Sequence, residues 1–551
     1  GGGGGGGEHE QVPPFFSLLQ LLSWIEEPAS RMLTMVMLVS SAEGLQGGAL
    51  LTGLCAHLRH GDTPVVSLVE RVLSVTVKPF LRMLSQWLSE GAVDDPHNEF
   101  MVEVSSDVPP AQLWESRCKL RTSMVPPFLP TKLANDILTT GKSVLFLREC
   151  CDEPDYSLAS AEISLQSAED YADNSEHWGA VVAGPFSAVS SHILEVFFTK
   201  FDFKVHALAL KRYLLCAQGD FIQALADSIG PVLDCPAKDL RKHQLMGAVE
   251  SAIRCSASKH DSPTVLNRLQ VRLLAALEEE AGWDVFCLDY VVSKPLNVVF
   301  CDSTINTYLR VFNLLWRMKR VGVVLTGSWL DANRLSRVCR GSNTRKLGHA
   351  LDTLRFEMVY LMQNLSSYMM FEVVESAWKR FQSSIDQVAS LDDLIASHSS
   401  FLQRVVEMAL VGGDGNSRSS LVSHLYRILD VIILFGTFHK NTVAQLQESA
   451  KAAAPKRESN RVYMPQQPLV VPQEMADQHM AQVSRFQRKF RSLVTDFIFS
   501  LRSLAKTSTK EFDPDLANRD TSREGLDYLR FRLDFNGYYS AQIKRAAVES
   551  N

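Results

Sequence analysis

Five side chains able to grip an anion recur at helical spacing between residues 305 and 325. At about 100° per residue, Asn306, Arg310, Asn313, Arg317 and Arg320 fall within roughly 80° of a helical wheel. Ile305, Tyr308, Leu309, Val311, Phe312, Leu314, Leu315, Trp316 and Met318 fill nearly all the rest. A surface helix carries a wider polar face, so this one reads as buried on most sides with one narrow stripe of guanidinium and amide groups. Arginine offers a planar fork that matches a carboxylate. The wheel leaves two readings open: a solvated or internally paired face, or a binding edge.

Other residues invite chemistry and fail on spacing. Gly141-Lys142-Ser143 has the end of a phosphate loop, but Asp136 stands where the first glycine must be, and 133–138 reads as helix rather than strand. His398 has no nearby serine, cysteine or carboxylate pattern, so it reads as a hydrogen-bonded structural histidine. The ten cysteines include no C-x-x-C pair; Cys150-Cys151 are adjacent, and no spacing suits zinc. They read as reduced thiols packed like small hydrophobes. Without a nucleophile elbow or a metal-ligand helix motif, the chain reads as a non-enzyme with no cofactor and no metal.

These residues are positioned by a chain of 551 residues, 46% apolar, long enough for several domains. Its 56 Lys and Arg against 62 Asp and Glu leave a net charge of −6, which argues against nucleic acid as the main partner and makes any basic site local. No unbroken apolar run reaches the ~18 residues that span a bilayer, and the greasiest piece, 428–435, contains Asp430, so no membrane insertion is expected. The tract Gly1 to Gly7, with no Met, reads as a flexible tail of a chain that lacks an N-terminal part. Helical periodicity dominates. Residues 15–39 read as two helices divided by Pro28, and 65–88 as a helix with a break at Pro79. Residues 345–378 and 477–506 read as long helices. Val291-Val292 and Val298-Val299 around Lys294-Pro295 suggest a short hairpin within 285–299. Residues 152–176 hold eight acidic residues and no basic one, an acidic insert. Residues 412–420 read as a loop and 451–474, with four prolines, as a mobile linker. No fixed-period repeat is present.

Longer words carry a resemblance. Tyr308-Leu309-Arg310-Val311-Phe312-Asn313-Leu314-Leu315-Trp316-Arg317-Met318-Lys319-Arg320 resembles the YLRVFNxLWRxKR helix of the gamma-tubulin complex proteins. Gly282-Trp283-Asp284-Val285-Phe286-Cys287-Leu288-Asp289-Tyr290 is similar to their GWDVFxLDY. Tyr213 to Ile222 is similar to YLLLGQGDFI, and Phe531-Arg532-Leu533-Asp534-Phe535-Asn536 matches FRLDFN. Asp95 to Val102 resembles DPYHEFFV, with His97 and Asn98 in place of Tyr and His. Asp261-Ser262-Pro263 and the intact Leu315-Trp316-Arg317-Met318-Lys319-Arg320 run point to the branch numbered 3.

The resemblance implies an all-α fold, an elongated rod of successive helical bundles, with room for one small β-hairpin. It implies a tail over 1–14, the C-terminal part of a first Grip region over 15–186, and a second Grip region over 187–551. It further implies a structural subunit that binds gamma-tubulin through the second region. Other gamma-tubulin complex components, especially component 2, would be lateral partners. Such a subunit helps template microtubule nucleation at a cytoskeletal microtubule-organising centre such as a centrosome or spindle pole. On this reading Asn306, Arg310, Asn313, Arg317 and Arg320 lie at the gamma-tubulin surface, with Arg532, Asp534 and Asn536 in the same region. A helical tether that does not touch tubulin is the alternative that composition and periodicity allow.

Overall fold

The computed structural model describes residues 17–105, 113–158, 175–275, 281–338, 342–411, 416–452, 473–507 and 516–541. The tail 1–14, most of the acidic insert (159–174), part of the loop (412–415) and most of the linker (453–472) lie outside the described residues. The chain divides into two compact units, Gly1–Lys200 and Phe201–Asn551. The boundary expected after residue 186 falls inside the helix Ser175–Thr199, which continues through Pro185.

In the first unit, α1 (Leu18–Ala42), α2 (Gly47–Ala56), α3 (Thr63–Glu90), α4 (Thr131–Cys150) and α5 (Ser175–Thr199) surround one core. The core side of α3 runs Val69, Leu73, Val77, Phe80, Leu84 and Trp87, steps of three and four that keep one face inward. Gly91 ends the helix in the left-handed region (φ 64°), with its N–H donating to the Trp87 carbonyl at 3.0 Å. Two short strands, β1 (Val102–Val104) and β2 (Cys118–Leu120), pair antiparallel with Val102 opposite Leu120. The loop before β1 is fixed by Asp95, whose carboxylate accepts from the Glu99 and Phe100 N–H groups at 2.8 and 2.9 Å.

Neither Pro28 nor Pro79 ends its helix. A mid-helix proline removes one backbone hydrogen bond. At Pro79 the cost is offset by the core residues on either side, Val77, Phe80 and Leu81, which are buried only if the helix continues. In α1 the Ser17–Gln20 capping box fixes the start of a helix that runs through Pro28. Its only buried residues are Thr34 and Leu38, so Leu18, Leu19, Leu22, Trp24, Leu33 and Val36 all stand in solvent.

The second unit begins with α6 (Phe203–Tyr213), α7 (Gly219–Leu233) and α8 (Lys242–Cys255). A hairpin of β3 (Leu269–Leu273) and β4 (Phe286–Tyr290) follows, Leu269 opposite Tyr290. The hairpin expected within 285–299 is therefore displaced. Its strand pairs upstream, where Leu269-Gln270-Val271-Arg272-Leu273 alternates inward and outward, while Val298 lies in a tight helical turn. The bundle proper comprises α9 (Asp302–Val338), α10 (Ser342–Ser367), α11 (Ser376–Ile385), α12 (Leu391–Met408), α13 (Asn416–Ala452), α14 (Gln473–Thr507) and α15 (Leu516–Leu533). A π-helical segment, Tyr368–Glu375, joins α10 to α11 without a turn. Helix α13 packs on α9 and α14; α10 packs on α9, α14 and α15. The fold is helical, as its periodicity implies, with two small two-stranded sheets.

Two helical stretches, Trp178–Thr199 and Leu421–Glu448, are long and apolar enough to cross a membrane by length and composition, which a count of unbroken runs overlooks. In both, the apolar side packs into a bundle core: Val189, Ile193 and Phe197 in one, Ile428, Leu429, Ile432 and Phe435 in the other. The nine described cysteines are free thiols.

Candidate functional site

Helix α9 has the section its wheel demands. All nine apolar positions named above are buried, whereas along the polar line Asn306 and Arg310 are exposed and Asn313, Arg317 and Arg320 half-buried. What the line faces differs along its length. Arg317 and Arg320 share one carboxylate, with Nη1 of each donating to Asp284 at 3.2 and 3.1 Å. Arg317 also reaches Asp430 of α13 and lies 5.1 Å from the Tyr426 ring; Arg320 lies 5.8 Å from the Trp283 ring.

The Gly282-Trp283-Asp284 turn is built for this. A Cβ on Gly282 would sit 2.9 Å from the Leu233 carbonyl oxygen, so only glycine admits the close approach. The Trp283 indole donates to Asp234 at 2.9 Å and packs 5.4 Å from the Trp316 ring. Asp284 is thereby held beneath the two arginines. These two members of the predicted site form an internal clamp between the hairpin region, α9 and α13.

Toward the start of α9 the line opens. Arg310 is exposed and donates to the Val411 carbonyl at 2.9 Å; Asn306 is exposed and accepts from Arg272 at 3.4 Å. Asn313 is half-buried. The C-terminal trio lies elsewhere. The Asp534 carboxylate accepts from the Tyr539 and Ser540 N–H groups at 2.9 and 3.2 Å, fixing the turn after α15. Asn536 is exposed. Arg532 is exposed on another side of α9, where Met318, Gly322, Leu325, Thr326 and Trp329 face it across a cavity. By wheel geometry that face is roughly 145° from the arginine stripe, so the structure does not bring the two predicted sets together.

Among the described residues, that second face is open. Between α9, α10 and Arg532 lies a cavity of 860 Å³, walled by Phe356, Tyr360 and Gln363. A second, of 500 Å³, is lined by Ile222, Leu315, Met369, Met370 and Val374, with Lys319 and Glu375 at its edges. Met318, Gly322 and Ser366 line both, so the two form one groove. Trp329, Phe356, Tyr360 and Phe371 rim it with their rings in solvent, Phe371 at 70% exposed. The π-helical segment raises this rim. Its wide turns bury Met369, Val373 and Val374 while pushing Phe371 outward. Beyond the mouth, Phe531 and Phe535 meet edge to face at 5.3 Å, both exposed.

Among the described lining residues no nucleophile–base set is assembled. The lining holds aromatic and thioether side chains, amides, two arginines and a lysine whose pKa burial pushes down; Lys319 donates to Gln223 at 2.6 Å. Such a surface suits a protein partner, because thioether and aromatic side chains adapt to an incoming apolar anchor. The other sequence candidates have structural duties. Gly141 lies mid-helix in α4, where a Cβ would strike the Trp87 ring at 2.1 Å; that indole donates to the Ile137 carbonyl at 2.9 Å. His398 is buried, hydrogen-bonded to the Tyr308 hydroxyl at 2.9 Å and packed among Phe300, Phe381 and Phe401. Sequence reasoning missed the groove because its lining comes from segments far apart in the chain and what defines it is the space between them. The one available signal was aromatic: Phe356, Tyr360 and Phe371 stand where the helix should be polar.

Two family models match the chain: one described as gamma tubulin complex component N-terminal over residues 7–200, and one as gamma tubulin complex component C-terminal over 204–539. The chain is 32% identical over 550 residues to gamma-tubulin complex component 3 of Arabidopsis thaliana, covering 96% of this chain and 63% of that protein. It is 32% identical over 547 residues to gamma-tubulin complex component 3 of Homo sapiens, covering 97% and 59%. It is 29% identical over 500 residues to the spindle pole body component alp6 of Schizosaccharomyces pombe, covering 88% and 56%. The chain thus spans between 56% and 63% of the length of these relatives.

Proposed function

The chain belongs to the gamma-tubulin complex component family, and from that premise we propose that it is a non-catalytic structural subunit whose C-terminal unit docks gamma-tubulin in the groove between α9, α10 and α15. The observation that carries this is the groove itself: four exposed aromatic rings around two joined cavities. Leaving such a patch in water is unfavourable, and patches of this kind mark interaction surfaces. Of the residues expected at the contact, we assign Arg532 to the groove mouth and keep Asn306, Arg310, Asn313 and Asn536 as further contact candidates. Arg317, Arg320 and Asp534 act by holding the fold.

The N-terminal unit takes the lateral role. The apolar surface of α1 needs a cover, and a neighbouring family member, of the component 2 or component 3 type, is the partner proposed for it. Subunits side by side then present gamma-tubulins in a fixed array at a microtubule-organising centre, the setting that the spindle pole name of one relative suggests. Nucleation is slow because several tubulins must lose freedom together, and a ready array removes most of that ordering cost. A tether that never touches tubulin would need another protein to cover the groove.

The test is co-elution of the purified chain with gamma-tubulin on size exclusion, repeated with Phe371→Asp and Gly322→Phe. A Cβ on Gly322 meets nothing within 4 Å, so a phenyl group there grows into the groove rather than the core. Wild type is expected to bind, and both variants to lose at least tenfold in affinity with unchanged thermal melting. Failure of the wild type to bind, or full binding by both variants, refutes the assignment.

A further inference from the structure

The larger cavity contains a group that the fold leaves unsatisfied. Arg355 of α10 lines it and is 4% exposed, so its guanidinium is out of water. Nη2 lies 2.7 Å from Asp352, one turn back; Nη1 is buried and has no hydrogen-bond partner. Asp352 offsets the buried charge, but the second terminal nitrogen is left as a donor without an acceptor, which is costly.

Its surroundings favour a visitor of opposite charge. Among the described lining residues the charged side chains are Arg355 and Arg532, and none is Asp or Glu. Arg532 is held at the mouth: its carbonyl accepts from the Tyr360 hydroxyl at 2.8 Å, and its guanidinium lies 5.7 Å from the Tyr528 ring. Gln363, Ser366 and Ser367 add neutral donors to the wall. The rings of Trp329 and Phe356 stand exposed beside the opening, where an apolar neighbour of the visitor would rest.

Resting on the docking role proposed above, we infer that this cavity is a carboxylate receptor: an acidic side chain on the docked face of gamma-tubulin enters it and pairs with Arg355 and Arg532. A small turn of the Arg355 side chain would bring Nη1, now closed to solvent, to the carboxylate, while Nη2 stays with Asp352. The volume, 860 Å³, admits an Asp or Glu together with a flanking residue. The smaller, methionine-lined cavity then takes the apolar part of the contact. Charge in one half of the groove fixes register, and apolar burial in the other supplies affinity.

The experiment measures affinity of the full chain for purified gamma-tubulin across a salt series, for wild type, Arg532→Gln, Arg532→Glu and Thr326→Phe. Arg532 and Thr326 are exposed, so these variants do not threaten the fold. Arg532→Glu is expected to weaken binding tenfold or more and to flatten its salt dependence; Arg532→Gln should weaken it several-fold. Thr326→Phe, which fills this cavity alone, should match the charge reversal. A charge-reversed carboxylate on gamma-tubulin that restores affinity to Arg532→Glu identifies the incoming residue. Wild-type affinity in both Arg532→Glu and Thr326→Phe, with binding still abolished by Phe371→Asp, overturns the receptor and leaves the docking role standing. Saturable heat from inorganic phosphate alone, with partner affinity unaltered in Arg532→Glu, overturns it in favour of a small-anion site. No binding by the wild type overturns both.

Discussion

Replacing Asp284 by Asn keeps the shape of the turn and removes the charge that Arg317 and Arg320 share. The three side chains are 27%, 26% and 17% exposed, between a surface pair and a buried one. Exposed pairs contribute up to ~1 kcal/mol, and breaking a buried one costs ~3–5 kcal/mol. Two unit charges 4 Å apart attract by ~4 kcal/mol at an effective dielectric near 20, before desolvation is subtracted. Arg317 keeps Asp430 after the change, whereas Arg320 keeps only the face of Trp283. One cation is left half-buried and unpaired, so the expected loss is about 2–3 kcal/mol. At an unfolding entropy of ~2.1 cal/mol/K per residue, that lowers the melting temperature of a ~350-residue unit by about 3–4 °C. The assay is thermal and urea unfolding of Asp284→Asn, Arg320→Met and the double variant, with gamma-tubulin affinity measured on the same samples. Stability should fall, with the double variant close to the single acid variant, and affinity should hold. If Asp284→Asn melts like the wild type while affinity changes tenfold, the arginines face the partner and the clamp is wrong.

Acid should weaken the second unit through its buried histidines. Burial holds His398 down at about 3; burial, reinforced by the charge of Arg268, holds His206 at about 4. Above the unfolded value near 6.5 both states are neutral and full stability is present; as pH falls toward those folded values, the unfolded chain takes protons that the folded one refuses. Each group then costs about 1.4 kcal/mol at pH 5.5, so urea midpoints should drop between pH 7.5 and 5.5, and His398→Gln should remove part of the drop. In the first unit, Gly141→Ala should destabilise by about 1–3 kcal/mol through overpacking against Trp87, despite a better helix propensity; tryptophan fluorescence and melting report it. Glu substitutions at Leu22, Trp24 and Leu33 should abolish association with a neighbouring component in sedimentation and leave gamma-tubulin affinity alone.

The bundle was legible because burial follows helical period: the wheel of α9 separated nine buried residues from five less buried ones. The partners of the polar line were not. Arg317 meets Asp284 at a separation of 33 residues and Asp430 at 113, and periodicity carries no information at such range. Pro79 misled for the opposite reason, since a local penalty was weighed without the tertiary burial of Val77, Phe80 and Leu81 that outweighs it; nothing buried around Pro28 explains why α1 continues through it. The hairpin was half-legible: the stretch expected to be extended, 285–299, contains the strand Phe286–Tyr290 but not at the valine pairs that suggested it, and the alternation at Leu269–Leu273 could have supplied its mate. The groove offered least, because an empty space has no sequence signature.

The π-helical segment has a consequence for how the chain could have come by its groove. Along α10 the buried positions step Leu347, Leu351, Leu354, Met358, Leu361, Leu365; from Val374, near the end of the segment, they resume through Trp378, Phe381 and Ile385. Extended at 3.6 residues per turn, the first series runs ahead of the second by roughly one to two residues. The wide turns are the phase correction that lets both stripes point inward, and the surplus residues are those thrown outward as the rim. Tyr368–Glu375 therefore has the form of an insertion absorbed by an older, regular helix. Deleting Met370 should restore α-helical hydrogen bonding across the junction, detectable by amide exchange, and retract the Phe371 ring. A rim made this way can be gained or lost by single-codon steps without rebuilding the helices on either side.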